Sequence, residues 1–434
     1  NNYSLKEFEK DFELNNIWKH AHTLRKYSLS YNKKFPFSYE QNISDETIVE
    51  YILAFACSLR KLFNEFKPEL IIGYNFGDIK HYLIQQLSNK YKIPFFFSSD
   101  TKVQNISAFY YDINSSKSFF LDKVKKFNIS INNSSNLQNA KNYLSENRQK
   151  LKIAFHMGDI KLTKKWYNLS DLKKLISMIF YHFKKNDRFK KKQITASDNT
   201  NLFYLIRDYI SERKNIIDTQ NFKYDKIEDI NNFIFFPLQH YPESQLGLLN
   251  PVHDHVLSTI RTLARFLPNG ITLVTKDHPW TFGKRSKSFL NKIQNTLNVK
   301  IIHPSTPMDK IYQKMKYLIS FGGTVVFESS IFFKPAIIIG DLEMMSELPN
   351  VYKLKHLEEI SSIISIIEES FDNRVKDNYD EKLLNYISAA YDIGFKNDIY
   401  QSNLRNNQKN LDYMWDFYLK EIKKVFELKN KFKY

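Results

Sequence analysis

From residue 232 onward, five short apolar runs alternate with four helical patterns, and this alternation restricts what the chain can fold into. The runs are 233–237, 271–274, 300–302, 317–320 and 336–339. Each is rich in Phe, Ile, Val or Leu and too short for a helix, as strands buried on both faces are. The segments 252–266, 286–298, 308–316 and 325–333 carry apolar residues at helical spacing. Parallel strands need a crossover, usually a helix, so this order predicts a doubly wound α/β sheet. Such a sheet binds its ligands at the carboxyl ends of its strands.

The first third carries a shorter form of the same signal. A helical pattern over 47–66 is stopped by Pro68, and an apolar run over 70–74 follows. After the turn Asn75-Phe76-Gly77-Asp78 come a helical segment, 79–91, and a second run, 93–97. This order of strand, turn, helix and strand is a Rossmann-like half. Residues 115–231 turn helical and polar, with Ser170 placed to cap a helix striped by Leu172, Leu175, Ile176, Ile179 and Phe183. The expected organisation is a Rossmann-like domain over 1–114 and a helical basic insertion over 115–231 that completes the N-terminal half. A second Rossmann-like domain over 232–403 then faces the first across a cleft, and a C-terminal helix occupies 404–434, striped by Leu411, Trp415, Tyr418, Ile422 and Phe426.

The length of 434 residues exceeds what one core usually holds. The net charge of +17 points to a polyanionic partner, and about half of it lies in one stretch. Between Ile160 and Gln193 there are eleven Lys/Arg against two Asp, with Lys184, Lys185, Arg188, Lys190, Lys191 and Lys192 closest together. A nucleic-acid binder interleaves exposed aromatics with basic residues along a groove; charge concentrated in one insertion suits a docking surface better, so no nucleic-acid partner is expected. The single cysteine, Cys57, lies in the apolar stretch Ile52-Leu53-Ala54-Phe55-Ala56 and reads as a buried thiol. No apolar run approaches the ~18 residues of a membrane span. With no secretory pattern at Asn1, the expected compartment is the reducing cytoplasm.

Three loops fall at the carboxyl ends of strands in the second domain. The first, Phe236-Pro237-Leu238-Gln239-His240-Tyr241-Pro242-Glu243-Ser244, offers Gln239 and Glu243 for a base or sugar. The second, Thr275-Lys276-Asp277-His278-Pro279-Trp280, sets Lys276 and His278 toward a phosphate, with Pro279 fixing the backbone behind the imidazole. The third, Ser320-Phe321-Gly322-Gly323-Thr324, opens a helix that carries Glu328 and Ser329. Glycines permit close backbone approach, and the unpaired N–H groups of a helix start attract phosphate. A carboxylate one turn in can accept both hydroxyls of a ribose. His253 and His255 are two residues apart on an expected helix and do not face one another, so they form no metal pair.

Together these loops resemble the capsule polysaccharide biosynthesis glycosyltransferases, including the Kdo transferases of bacterial capsules. The resemblance rests on Phe236-Pro237-Leu238-Gln239, Pro242-Glu243, Leu267-Pro268-Asn269-Gly270, Lys276-Asp277-His278-Pro279, Gly323-Thr324, Glu328 and Lys334-Pro335-Ala336. It is strongest over 233–352; the bulky Val325-Val326-Phe327 departs from the family's small residues there. The resemblance implies the GT-B fold and a metal-independent glycosyltransferase without cofactor. A nucleotide-sugar donor, a CMP-sugar such as CMP-Kdo, would bind Gln239, Glu243, Lys276, His278, Gly322, Gly323, Thr324, Glu328 and Ser329. His278 would be catalytic; from its place at the end of the first strand, Asp78 is the candidate general base, with capping of the helix that follows as its alternative role and Asp100 as a second candidate base. The acceptor would be a glycan or glycolipid, and the basic cluster would dock on the anionic inner face of the inner membrane. A nucleotide-sugar epimerase or a polyol-phosphate transferase would share the phosphate loop, and a non-catalytic polyanion binder would share the charge.

Overall fold

The computed structural model describes residues 3–21, 23, 45–73, 77, 79–151, 169, 172–173, 175–177, 180, 202–239, 245–253, 255–283, 285–340, 342–397 and 407–429. Helix α1 (Leu5–Phe12) begins in a capping box, in which the Ser4 side chain and the Glu7 carboxylate satisfy each other's backbone N–H. Helix α2 (Asp45–Phe66), strand β1 (Ile71–Gly73), helix α3 (Ile79–Tyr91) and strand β2 (Phe95–Asp100) follow. Strands β1 and β2 pair in parallel, Ile71 opposite Phe95, which completes the expected strand–helix–strand unit. Phe8, Phe12, Ile52, Ala56, Leu83 and Leu87 close the core between the three helices, with Cys57 buried among them.

The chain then departs from a purely parallel pattern. Strand β3 (Ile106–Tyr110) turns back antiparallel on β2. Lys102 and Gln104 take up left-handed backbone angles in the turn, and the Asp100 carboxylate accepts from the Lys102 N–H. That side-chain turn is a local device which apolar periodicity does not register. Helices α4 (Phe119–Ile129), α5 (Leu137–Gln149) and α6 (Leu202–Gln220) follow.

The second sheet is built from β4 (Phe233–Pro237), β5 (Thr272–Lys276), β6 (Val299–Ile302), β7 (Tyr317–Ser320), β8 (Ala336–Ile339) and β9 (Val351–Leu354). Helices α7 (Val256–Phe266), α8 (Lys287–Gln294), α9 (Met308–Lys314) and α10 (Thr324–Ile331) connect them. All neighbours are parallel, in the order β6-β5-β4-β7-β8-β9. Phe233, Ile234, Phe235 and Phe236 are fully buried because β4 is central and both its faces are covered. The edge strand β9 was not foreseen, since its exposed Lys353 breaks the apolar run. His255 caps α7, its Nδ1 accepting from the Ser258 N–H.

After helix α11 (Ile360–Lys376) the chain returns to the first sheet. Helix α12 (Tyr379–Ile393) packs on α4, α5 and β3. Tyr386 donates to the Thr101 carbonyl across 3.0 Å, and Asn385 bonds Phe127 O, Asn128 and Asn132. Strand β10 (Phe395–Lys396) then pairs antiparallel with β3, so residues near 395, within the expected range 232–403 of the second domain, join the first sheet. Helix α13 (Gln408–Lys429) covers the outer face of that sheet, with Met414 and Val425 against Phe96, Phe109 and Phe395. One apolar core therefore runs from the first sheet through α12 into the second. The α/β class with two sheet-centred units is the one the sequence predicts. Among the described residues no helix is long and apolar enough to cross a membrane.

Candidate functional site

The connections of the second sheet leave β4 toward β5 on one side and resume at β7 on the other. The crevice beyond the carboxyl ends of β4 and β7 is therefore a topological switch point, where sheets of this kind bind ligands. Three loops meet there, after β4, β5 and β7, and one hydrogen bond spans the crevice, Gln239 Nε2 to Ser320 Oγ at 3.4 Å.

The loop after β7 is shaped by two glycines. Gly322 and Gly323 have φ of +118° and +94°, a region closed to residues with a Cβ. Gly323 is the N-cap of α10, so the helix start, from Thr324, lies at the carboxyl edge, with the Val326 N–H turned back onto Gly323 O at 3.1 Å. The Gly322 N–H donates to Ser320 Oγ, whose hydroxyl donates to Gly322 O, and the loop is thereby held in shape. The backbone at this edge is that of Gly323 and the start of α10. Ser329 is set apart from it. Read in the sequence as donor-binding, it is fully buried, gives its hydroxyl to Val326 O and accepts from Asn350 Nδ2. The helix face that carries it turns inward.

Lys276 ends β5 and is only 7% exposed, its ammonium donating to Thr306 O in the loop after β6. Burial pushes its pKa down to about 8, against the pull of the Glu328 carboxylate. Glu328 accepts from the Tyr312 hydroxyl at 2.6 Å. Burial pushes its carboxyl up to about 7, opposed by the Tyr312 bond and the Lys276 charge. The mutual influence of these two groups brings β5 and α10 to one site. His303, just past β6, feels the same ammonium and is held below the usual histidine range, first by burial and then by that charge. Its Nδ1 accepts from the Ser305 N–H, so the imidazole proton sits on Nε2.

His278 lies two residues past Lys276 on the same edge, partly exposed, and its backbone is fixed by Asp277. Asp277 Oδ1 accepts from the His278 N–H at 2.8 Å, from Thr281 Oγ1 at 2.5 Å and from Arg285 Nε at 2.7 Å. Arg285 Nη2 continues to Gln239 O at 3.0 Å. Sequence reasoning missed Arg285, Tyr312 and His303. Arg285 follows a polar turn that gives no sign of burial, and Tyr312 is one of many aromatics on helical stripes. His303 carried a legible signal, a histidine just past a strand end and followed by proline as His278 is.

The structure brings together Gln239, Lys276, His278, Gly322, Gly323, Thr324 and Glu328 at one sheet edge, and it sets Ser329 aside. Asp78, Glu243 and the cluster of Lys184, Lys185, Arg188, Lys190, Lys191 and Lys192 lie outside the described residues. Asp100 ends β2 with its carboxylate engaged by the Lys102 N–H and ammonium, as a turn-forming residue.

The sequence matches no protein-family model and no curated protein. Among solved structures it is similar to Thermosulfurimonas dismutans KpsC, a beta Kdo 2,4 transferase, at 12% identity and a TM-score of 0.37, over 74% of this chain and 79% of that one. WaaG, a glycosyltransferase involved in lipopolysaccharide biosynthesis, is similar at 13% identity and a TM-score of 0.26, over 42% of this chain and 50% of that one. Methanocaldococcus jannaschii UDP-GlcNAc 2-epimerase is similar at 14% identity and a TM-score of 0.30, over 82% of this chain and 83% of that one.

Proposed function

We propose that the chain is a GT-B glycosyltransferase that takes a nucleotide-activated sugar at this crevice. The observation that carries the reading is the anion cradle at the switch point, where two left-handed glycines present the start of α10 beside the buried ammonium of Lys276. A helix N-terminus and a cation on the next loop suit the phosphate of a leaving nucleotide. Glu328 suits the ribose, one oxygen held by Tyr312. In the reaction the acceptor hydroxyl attacks the anomeric carbon and the bond to the donor phosphate breaks. The electron pair leaves on the nucleotide, and the hydroxyl proton passes to a base, for which Asp78 is the candidate. His278 and Lys276 balance the charge that grows on the phosphate, so no metal is required.

The finer reading is a CMP-sugar such as CMP-Kdo as donor and a bacterial surface polysaccharide or glycolipid as acceptor, reached at the inner face of the inner membrane. At the described positions of the basic insertion, Leu169, Leu172, Ile176 and Phe180 are helical, exposed and spaced for one face. An apolar stripe beside lysines suits an anionic lipid surface. A thermal-shift comparison of CMP, CDP, UDP and GDP tests the donor class, and the expected result is stabilisation by one of them. Acceptor-dependent release of that nucleotide from its sugar then tests transfer. No stabilisation by any of the four overturns the donor site, and isomerisation of the sugar without nucleotide release moves the assignment to an epimerase.

A further inference from the structure

The Asp277–Arg285 ion pair is almost wholly removed from water, with side chains 3% and 1% exposed, yet it lies beside an open crevice. Its hydrogen bonds form a continuous chain along the carboxyl edge of three adjacent strands. From the loop after β5, the His278 N–H and Thr281 hydroxyl reach Asp277 Oδ1, and Arg285 Nε reaches the same atom. Arg285 Nη2 then holds Gln239 O after β4, Gln239 Nε2 reaches Ser320 Oγ at the end of β7, and Ser320 Oγ holds Gly322 O. The guanidinium also lies over Phe289, its central carbon 5.0 Å from the ring centroid. A planar fork with fixed donors can bridge two loops in a way that a flexible ammonium cannot.

We propose that Arg285 is a positioning residue, which sets the distance between the His278 loop and the glycine turn at the start of α10. A buried ion pair is commonly no more stabilising than apolar residues of equal volume, so stability alone does not account for a pair placed here. What the pair supplies is a fixed separation between two groups that receive one anion, and misplacing such a group by about an ångström is enough to weaken it. The proposal deepens the donor-site reading and rests on it for the identity of the anion, but not for the geometry of His278.

The test uses the full chain with Arg285→Lys, and the double variant Asp277→Asn/Arg285→Met, which leaves no buried charge unpaired. Two readouts are taken, the imidazole resonances of His278 assigned by comparison with His278→Ala, and the affinity for CMP and UDP. With circular dichroism unchanged, the double variant is expected to shift or split the His278 resonance and to weaken nucleotide binding about tenfold. Arg285→Lys keeps a charge beside Asp277 but gives up the fork; it is expected to weaken binding severalfold with the fold intact, and it carries the test if the double variant does not fold. An unmoved His278 resonance with unchanged affinity in a folded variant overturns the proposal. If the parent binds neither nucleotide, the donor reading fails while the His278 resonance still decides whether Arg285 positions the loop.

Discussion

Burial moves Lys276 and Glu328 each toward its neutral form, and the consequences can be measured as a function of pH. Glu328 has its pKa raised to about 7, so the stability it contributes is present below its unfolded value and is lost as pH rises through about 7. Lys276 is lowered to about 8, so its contribution is present above its unfolded value and is lost as pH falls through about 8. Between those values both charges are present, each against the cost of its burial. Lys276→Met is therefore expected to melt a few degrees higher than the parent at pH 6, where Glu328 is protonated and loses no counter-charge, a gain that shrinks toward alkaline pH; a lower melting temperature there would show that the ammonium is not under strain. Nucleotide affinity in the parent is expected to fall as pH rises through about 8, where the ammonium loses its proton. His278→Ala is expected to keep the fold, because the backbone of that loop is fixed by Asp277, and to abolish transfer. Full turnover in that variant would remove the role assigned to the imidazole.

At the scale of elements, the proposed donor site depends on the turn between β7 and α10. Gly323 combines φ of +94° with ψ of −178°, a region essentially restricted to glycine. Gly323→Ala is expected to cost roughly 1–3 kcal/mol in denaturant unfolding, and to abolish nucleotide stabilisation, since relief of strain would turn the first turn of α10 away. An alanine variant as stable as the parent would mean that the turn adapts and that its geometry is not demanded by the sheet edge. Asn350 supports the same helix from behind, bonding Ser329 Oγ and Lys334 O. It explains why Ser329 serves the packing of α10 rather than the crevice.

Across the whole molecule, α12 joins the two sheets through a shared core, and Asn385 sits in that junction, 1% exposed and bonded to three residues around the end of α4. Asn385→Leu leaves the Phe127 carbonyl and the two asparagines without their partner. It is expected to destabilise the chain by about 1–3 kcal/mol, and to lower the melting of both sheets together; separate transitions would show that the units fold independently. The charge of +17 belongs to this scale as well. Sedimentation with anionic vesicles is expected at low salt, and to be lost at high salt or when Lys184, Lys185, Arg188, Lys190, Lys191 and Lys192 are replaced by Ser. Failure to bind at low salt removes the membrane from the proposal and leaves the sugar-transfer reading standing.

Apolar periodicity alone determined the parallel second sheet, because strands buried on both faces read as short continuous runs between helical stripes. It also determined that Lys276, His278, Gly322, Gly323 and Thr324 would share one edge, since parallel strands place all their carboxyl ends on one side. Only the tertiary structure decided the return of β10 to β3 and the antiparallel turn after Asp100, because strand direction depends on which neighbour completes the hydrogen bonds. It likewise decided the roles of Arg285, Tyr312 and Ser329. A polar residue in a sequence looks alike whether water or a buried partner satisfies it, and packing settles which of the two it meets.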